Sequence, residues 1–252
     1  MITSKDNSRI KLIKKLLDKP KYRREENAFV LEGLKPVEEA VRQGLVKEIF
    51  VSESENNNAI VFDKIEVVED SIFKGLSDTV TPQGILAIVK IPEYDNRVIF
   101  EKEKCRLLCL EEVRDPGNVG TMIRTAEAAG FDAVLLSPGC ADVYQPKVVR
   151  STAGAILRMP CLYCDESTFA GQLELLKGNG FTLFATHLQG AVDFKEPAYD
   201  GRVGVLIGNE ANGLSDEATQ LADVKVKIPM QGEVESLNAA VAAALLMYEV
   251  NR

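Results

Sequence analysis

Tryptophan is absent from this 252-residue chain, aromatic residues make up only 6% of it, and histidine occurs once, at His187. A single histidine argues against the multi-histidine ligand sets of zinc sites and against a Ser-His-Asp hydrolase, so no metal is expected. The five cysteines are too few, and odd in number, for a disulfide framework, which fits a reducing cytoplasm. No apolar run approaches the length of a membrane span, and Met1-Ile2-Thr3-Ser4-Lys5-Asp6 lacks the apolar stretch of a signal peptide. The sequence therefore predicts a cytoplasmic protein with no membrane partner. A hydrophobic fraction of 46% with 27% charged residues describes an ordinary globular chain, long enough for one large domain or two modest ones.

An overall positive charge is missing too. The net charge of −8 excludes a protein that binds nucleic acid over its whole surface, but the charge is unevenly spread. Residues 1–24 hold nine basic side chains (Lys5, Arg9, Lys11, Lys14, Lys15, Lys19, Lys21, Arg23 and Arg24) against Asp6 and Asp18, a net +7 that leaves −15 for the rest. A basic end on an acidic body is the asymmetry of a single phosphate-binding face, or of a solvated basic helix.

Ile10, Ile13, Leu16 and Leu17 recur at helical spacing after a capping Asn7 or Ser8, which predicts an amphipathic helix over 8–18 with a Lys/Arg polar side. A strand at 28–31, a helix from Pro36 to about Gln43, strands at 47–52 and 65–68, a helix at 70–77 and a strand at 84–91 make a small α/β unit. Polar and turn residues around Pro92–Arg97 break the pattern, with a boundary at about 92–103. Predicted strands then follow at 106–111, 133–137, near Cys161, and at 182–186, 203–207 and 224–228. Helices are predicted at 118–129, from Pro146, at 167–177 and at 236–250. Apolar strands with little alternation suit a parallel sheet covered on both faces, where ligands sit beyond the carboxyl ends of the strands.

Three loops at such strand ends carry unusual chemistry: Asn118 to Arg124 opening a helix, Gly208 to Leu214, and Ile228 to Gly232 followed by Ser236-Leu237-Asn238. Each has a plain reading. Asn118 and Ser236 can be helix N-caps, Gly208 and Gly213 turn residues, and Ala239–Ala244 a close-packed helix. Three together, each ending a strand, point to a site. Elsewhere, Cys161-Leu162-Tyr163-Cys164 has redox spacing but reads as buried structure, as do Cys105 and Cys109.

These residues carry a resemblance. Asn-x-Gly-x-x-x-Arg at 118–124, Ile-Gly-Asn-Glu-x-x-Gly-Leu at 207–214, and Ile-Pro-Met-x-Gly with Ser-Leu-Asn at 228–238 resemble the motifs of the SpoU (TrmH-type) RNA ribose 2′-O-methyltransferases of the SPOUT superfamily. The likeness covers about residues 105–252. Residues 1–90, through Lys21-Tyr22-Arg23-Arg24-Glu25-Glu26 and Phe29-Val30-Leu31-Glu32-Gly33, are similar to the ribosomal-protein-like RNA-binding domain often fused ahead of this enzyme.

The resemblance implies an α/β fold: an RNA substrate-binding domain over 1–95, then a parallel-sheet methyltransferase domain over 104–252 with a deep trefoil knot. It implies a homodimer, S-adenosyl-L-methionine as cofactor, and RNA, ribosomal rather than transfer, as substrate. It assigns the cofactor to the surroundings of Gly208, Ile228 and Leu237, with Thr186 beside them. It assigns the chemistry to Arg124, Asn118, Glu210, Ser236 and Asn238. A guanidinium stays protonated in proteins, so Arg124 is expected to stabilise a developing alkoxide, with Glu210 orienting Arg124 or the Asn118 amide. Ser236 and Asn238, at a helix N-terminus, are expected to hold the target phosphate or ribose. Lys147 and Arg150, flanking Ser151–Gly154, can touch RNA or be surface charges. Two other classes are weighed. A nicotinamide oxidoreductase needs Gly-x-Gly-x-x-Gly after a strand, which Gly117-Asn118-Val119-Gly120 does not supply. A catalytically silent RNA-binding or ribosome-assembly protein is distinguished by failing to bind S-adenosylmethionine.

Overall fold

Ile10, Ile13 and Leu16 are fully buried on one side of the first helix, α1 (Ser8–Asp18), in a core shared with the strand residues Ala28, Val30, Phe50, Leu86 and Ile88. The computed structural model describes the chain except residues 56–59, 78–81, 96, 98–100, 165–167 and 188–189. Asn7 caps α1, its side chain accepting from the Arg9 amide. A second helix that the spacing does not predict, α2 (Pro20–Glu25), follows at once, with Pro20 in its first turn.

Four strands pair in the order β1 (Ala28–Glu32), β4 (Ile85–Lys90), β2 (Val46–Ser52), β3 (Ile65–Val68). β4 runs antiparallel to both neighbours, and β2 and β3 are parallel. α3 (Leu34–Arg42) starts two residues before the expected Pro36. Gly33, at φ +104°, makes the turn into it. The helix predicted over 70–77 is shorter, α4 (Asp70–Phe73) running into a 3₁₀ turn at Lys74–Leu76, where Gly75 weakens the α-helix.

The chain forms two compact units. One is Met1–Glu93 with Tyr144–Leu157, and the other is Tyr94–Val143 with Arg158–Arg252. The segment Tyr144–Leu157, which the sequence groups with the C-terminal half, therefore packs in the first unit. Its Tyr144 ring lies 5.0 Å from that of Phe29, and its helix α6 (Pro146–Ser151) sits on β1.

The second unit is built on a seven-stranded sheet in the order β7-β6-β5-β10-β8-β11-β9, every pairing parallel. The strands are β5 (Cys105–Leu110), β6 (Ala133–Leu136), β7 (Cys161–Tyr163), β8 (Phe181–Thr186), β9 (Val192–Asp193), β10 (Arg202–Ile207) and β11 (Val224–Lys227). Helices α5 (Pro116–Ala128), α7 (Phe169–Gly178), α8 (Asp216–Leu221) and α9 (Ala239–Val250) complete it. The two-residue β9 and the short α8 are too brief to leave a periodic signal. The start expected for α7, at 167, lies outside the described residues. β5 is buried along its whole length, as a central parallel strand must be. β10 is inserted between β5 and β8, so the direction of chain progression across the sheet reverses there, where α/β sheets bind ligands.

One buried cation ties the distal chain to the sheet. Arg106 in β5 donates to the carbonyls of Gly201 and Tyr199 and to Asn251 Oδ1, and Asn251 in turn donates to the Ala129 carbonyl. Arg106→Ala strands these acceptors, and a loss of about 1–3 kcal/mol of stability is expected. A urea midpoint unchanged from the parent would contradict that role.

Candidate active site

The three motif loops leave β5, β10 and β11 at their carboxyl ends. The loop after β5 turns into α5 through Asp115-Pro116, and the Asp115 carboxylate accepts from the Asn118 amide at 2.8 Å. Asp115, not Asn118, is the N-cap. An Asp directly before a Pro is the signal that could have placed it. The second plain reading is also overturned. α9 starts at Ala239, and its N-cap is Asn238, whose Oδ1 accepts from the amides of Ala240 (2.9 Å) and Val241 (3.3 Å). Ser236 lies outside the helix and is exposed. The helix starts three residues later than predicted because Asn238 satisfies two of the free amides that every helix N-terminus carries.

With Asp115 capping α5, the Asn118 side chain is free to join the loops. Its Nδ2 donates to Glu210 Oε1 at 3.0 Å, and its Oδ1 accepts from Asn238 Nδ2 at 2.9 Å. The donor directions fix one another. A carboxylate can only accept, so Asn118 turns its NH₂ to Glu210. Its oxygen then faces Asn238, whose own oxygen is already engaged by the α9 amides. Glu210 also accepts from the backbone amides of Arg114 (3.2 Å) and Asp115 (3.1 Å). Partial burial alone would raise this carboxyl. The hydrogen bonds from Asn118 and from the backbone of Glu210, Asp115 and Arg114 outweigh it and hold the group below its ordinary 4.5. The carboxylate therefore stabilises the folded chain above its ordinary pKa, and the contribution is lost as pH falls through the lowered value.

Asn118, Glu210 and Asn238 are thus brought together, one from each motif. Arg124 and Ser236 are not bonded to them. Arg124 is exposed on α5, and its side chain makes no hydrogen bond or ion pair among the described residues. Six residues from Asn118 is an angular offset of roughly 120° on an α-helix, so the two do not share one line along it. Glu210 orients Asn118 rather than Arg124. Beside the network lies an open cleft of about 590 Å³, lined by Asn118, Thr121, Asn238, Val241, Leu245 and Tyr248 among others.

The positions expected around a cofactor end neighbouring strands. Thr186 closes β8, Gly208 follows β10 and Ile228 follows β11, and these three strands are adjacent in the sheet. The Thr186 hydroxyl donates to the Leu206 carbonyl at 3.1 Å, so it braces β8 against β10. Gly208 is buried where the loop folds back on itself. A Cβ there would lie 2.1 Å from the Gly213 carbonyl carbon, so only glycine fits. Ile228 and Leu237 are half-buried at the two ends of an exposed loop. Among the described residues, the backbone amides from Met230 to Leu237 have no hydrogen-bond partner. Apolar side chains flanking free amide donors suit a ligand with a flat aromatic base and polar edges, such as S-adenosylmethionine.

Among the described residues no group of His, Cys, Asp and Glu is arranged to hold a metal ion, and no helix is long and apolar enough to cross a membrane. Burial pushes the Cys161 thiol up to about 12, and Cys164 is buried, which opposes thiolate chemistry at that pair.

The second unit is a parallel α/β fold whose three motif loops gather near the switch in strand order. A family model described as the SpoU rRNA Methylase family matches residues 106–248, and one described as an MRM3-like substrate binding domain matches residues 7–87. The chain is 34% identical over 252 residues to the 23S rRNA (guanosine(2553)-2′-O)-methyltransferase RlmP of Bacillus subtilis, covering 99% of this chain and 98% of that one. The SpoU methyltransferase AviRb of Streptomyces viridochromogenes, solved in complex with AdoMet, superposes with a TM-score of 0.87 at 28% identity, covering 97% of each chain. An AdoMet-bound rRNA methyltransferase from Sinorhizobium meliloti gives a TM-score of 0.86 at 29% identity, covering 99% of this chain and 96% of that one. The chain belongs to the SpoU rRNA methylase family.

Proposed function

We propose that the chain transfers a methyl group from S-adenosylmethionine to a ribose 2′-hydroxyl of RNA, with ribosomal RNA as the substrate class. The observation that carries this reading is the Glu210–Asn118–Asn238 relay, which joins the three family motifs through side-chain hydrogen bonds at one end of the sheet. S-adenosylmethionine, held by the loops around Gly208, Ile228 and Leu237, supplies an already activated methyl group.

The chain's own residues then have to place and deprotonate a poor nucleophile. Arg124, exposed and without an intrachain partner among the described residues, is the cation for the developing alkoxide at the 2′-oxygen. The proton passes to an RNA phosphate or to water. Glu210 holds Asn118, and Asn118 fixes Asn238, which with Ser236 positions the target phosphate or ribose at the start of α9. Residues 1–95 supply the RNA-binding surface. The resemblance of the AviRb and RlmP chains over nearly their full lengths supports a knotted C-terminal domain and a cytoplasmic enzyme acting where ribosomal RNA is made. Transfer of radiolabel from S-adenosylmethionine to ribosomal RNA, mapped to ribose by mass spectrometry, tests the assignment. Failure to bind the cofactor would return the chain to the silent RNA-binding class.

The functional unit is a two-fold dimer on this reading. α9 buries Ala243, Leu246 and Met247 against its own unit, yet leaves Val241 49%, Leu245 43% and Tyr248 59% exposed on its other side. Such an apolar face is covered most simply by a copy of itself. Sedimentation equilibrium at low micromolar concentration is expected to give twice the 27.7 kDa chain mass. A fully active species at the chain mass would refute it.

A further inference from the structure

Glu210 sits in the middle of a loop, yet three hydrogen-bond donors, the Arg114 and Asp115 amides and the Asn118 side chain, meet its carboxylate in a defined arrangement. A carboxylate on an exposed loop loses that arrangement unless both sides of the loop are held. Both are held. On the near side, Asn209 turns its side chain to the backbone. Its Nδ2 donates to the Glu112 carbonyl at 2.9 Å, and its Oδ1 accepts from the amides of Ala211 (3.0 Å) and Asn212 (3.1 Å). Asn209 and Gly213 also exchange backbone hydrogen bonds, both 2.9 Å. The carbonyl that Asn209 reaches belongs to a residue in an unusual conformation. Glu112 has φ +49°, sparsely populated by a non-glycine residue, and its own amide is pinned by Ser137 Oγ at 2.8 Å. On the far side, the Glu111 carboxylate takes both the Ser215 amide and the Ser215 hydroxyl at 2.7 Å. Ser215 Oγ at the same time caps α8 by accepting from the Ala218 amide.

Asn209, Glu111 and Ser215 turn their polar groups to the protein itself: Asn209 to Glu112, Ala211 and Asn212, and Glu111 and Ser215 to each other and to Ala218. We infer that Asn209 and the Glu111–Ser215 pair are positioning residues, which clamp the loop at 208–215 against the segment after β5 and so deliver Glu210 to Asn118. The inference deepens the methyltransferase reading and rests on it for its kinetic consequence. Without the near clamp, Glu210 keeps its chemistry but loses its register, and the Asn118–Asn238 amides lose the carboxylate that orients them. Misplacement of about 1 Å in such a constellation costs on the order of a hundredfold in rate.

The test uses the full chain and two readouts. In methyl transfer to ribosomal RNA, Asn209→Ala and Ser215→Ala are each expected to lower kcat by about tenfold or more while leaving the KM for RNA within about twofold. Because they act through Glu210, adding either change to Glu210→Gln is expected to cost no more than Glu210→Gln alone. Losses that multiply instead would mean an independent structural role and overturn the inference. The second readout needs no substrate. In an NMR titration of the carboxyl groups, Asn209→Ala is expected to raise the Glu210 pKa from its lowered value towards the ordinary carboxyl range, and an unmoved titration overturns the clamp. Asn209→Asp guards against misfolding, since it keeps the acceptor for Ala211 and Asn212 and loses the donor to Glu112. Because it also adds a negative charge beside Glu210, which raises that pKa by itself, it is read by kcat alone: a fall like that of Asn209→Ala is expected, and parental turnover would refute the Asn209–Glu112 anchor. A parent chain that transfers no methyl group would sink the functional reading alone, because the titration still decides the clamp.

Discussion

Arg124→Ala is expected to lower methyl transfer by roughly two orders of magnitude or more, with S-adenosylmethionine affinity little changed. That range follows from losing one preorganised donor at a developing oxyanion. Its position supports the expectation. The guanidinium is exposed on α5 and unengaged among the described residues, while the neighbouring Asn118 is committed to the relay. A cation with no intrachain partner contributes little to stability, so the melting temperature should hold while the rate falls. Arg124→Lys keeps charge but loses the planar fork, and should recover only part of the activity. Near-parental turnover by Arg124→Ala on a matched RNA would remove Arg124 from the chemistry.

The second large effect is expected at the N-terminal basic arm, and the structure changes which residues to test. The sequence groups Arg23 with the other cations of residues 1–24. Arg23 is only 3% exposed, and its guanidinium donates to the carbonyls of Leu16 and Leu17 at the end of α1. It caps a helix terminus that a positive charge stabilises, and neutralising it would unfold the arm rather than report on RNA. Arg9 is likewise engaged, with Glu48 and Glu66, and Lys11 with Asp6. Lys5, Lys14, Lys19 and Arg24 are exposed and have no ion pair among the described residues. Replacing Lys14, Lys19 and Arg24 by Gln should weaken RNA binding and flatten its dependence on salt. The slope of log K against log salt is expected to fall by about 0.7 to 0.9 for each phosphate that the arm no longer neutralises. S-adenosylmethionine binding should survive. Binding titrations from low to moderate salt measure this, and an unchanged slope would identify the arm as a solvated helix.

Much of this protein was legible in order along the chain. Runs such as Leu107–Leu110 and Val203–Ile207 are apolar without alternation because both faces of a central parallel strand are covered, so strand positions and sheet type follow from local composition. Glu210 stands out as a carboxylate soon after an apolar strand, whereas Asn118 and Asn238, each open to a plain structural reading, stand out only with the three motif loops taken together and through the family resemblance. Elements too short for a period, such as α2, α8 and β9, were not legible, since a helix of six residues or a strand of two leaves no repeat to detect.

What only the tertiary structure decided is which polar groups meet. Asn118 and Ser236 have the composition of N-caps, but Asp115 and Asn238 take those places, because capping depends on backbone angles that residue type only favours. Arg23 reads as one more surface cation until the packing of α2 beside α1 turns it inward. Glu111 and Ser215 pass unnoticed in the sequence, and Asn209 shows there only as a motif residue without a role, because their partners lie about a hundred residues away and hydrogen bonds between distant segments leave no periodicity. Local sequence determines strands, helices and strand-end loops, since their energetics are set over a few residues. The joining of those loops into one site waits on strand order, and strand order is decided only when β10 enters the sheet between β5 and β8.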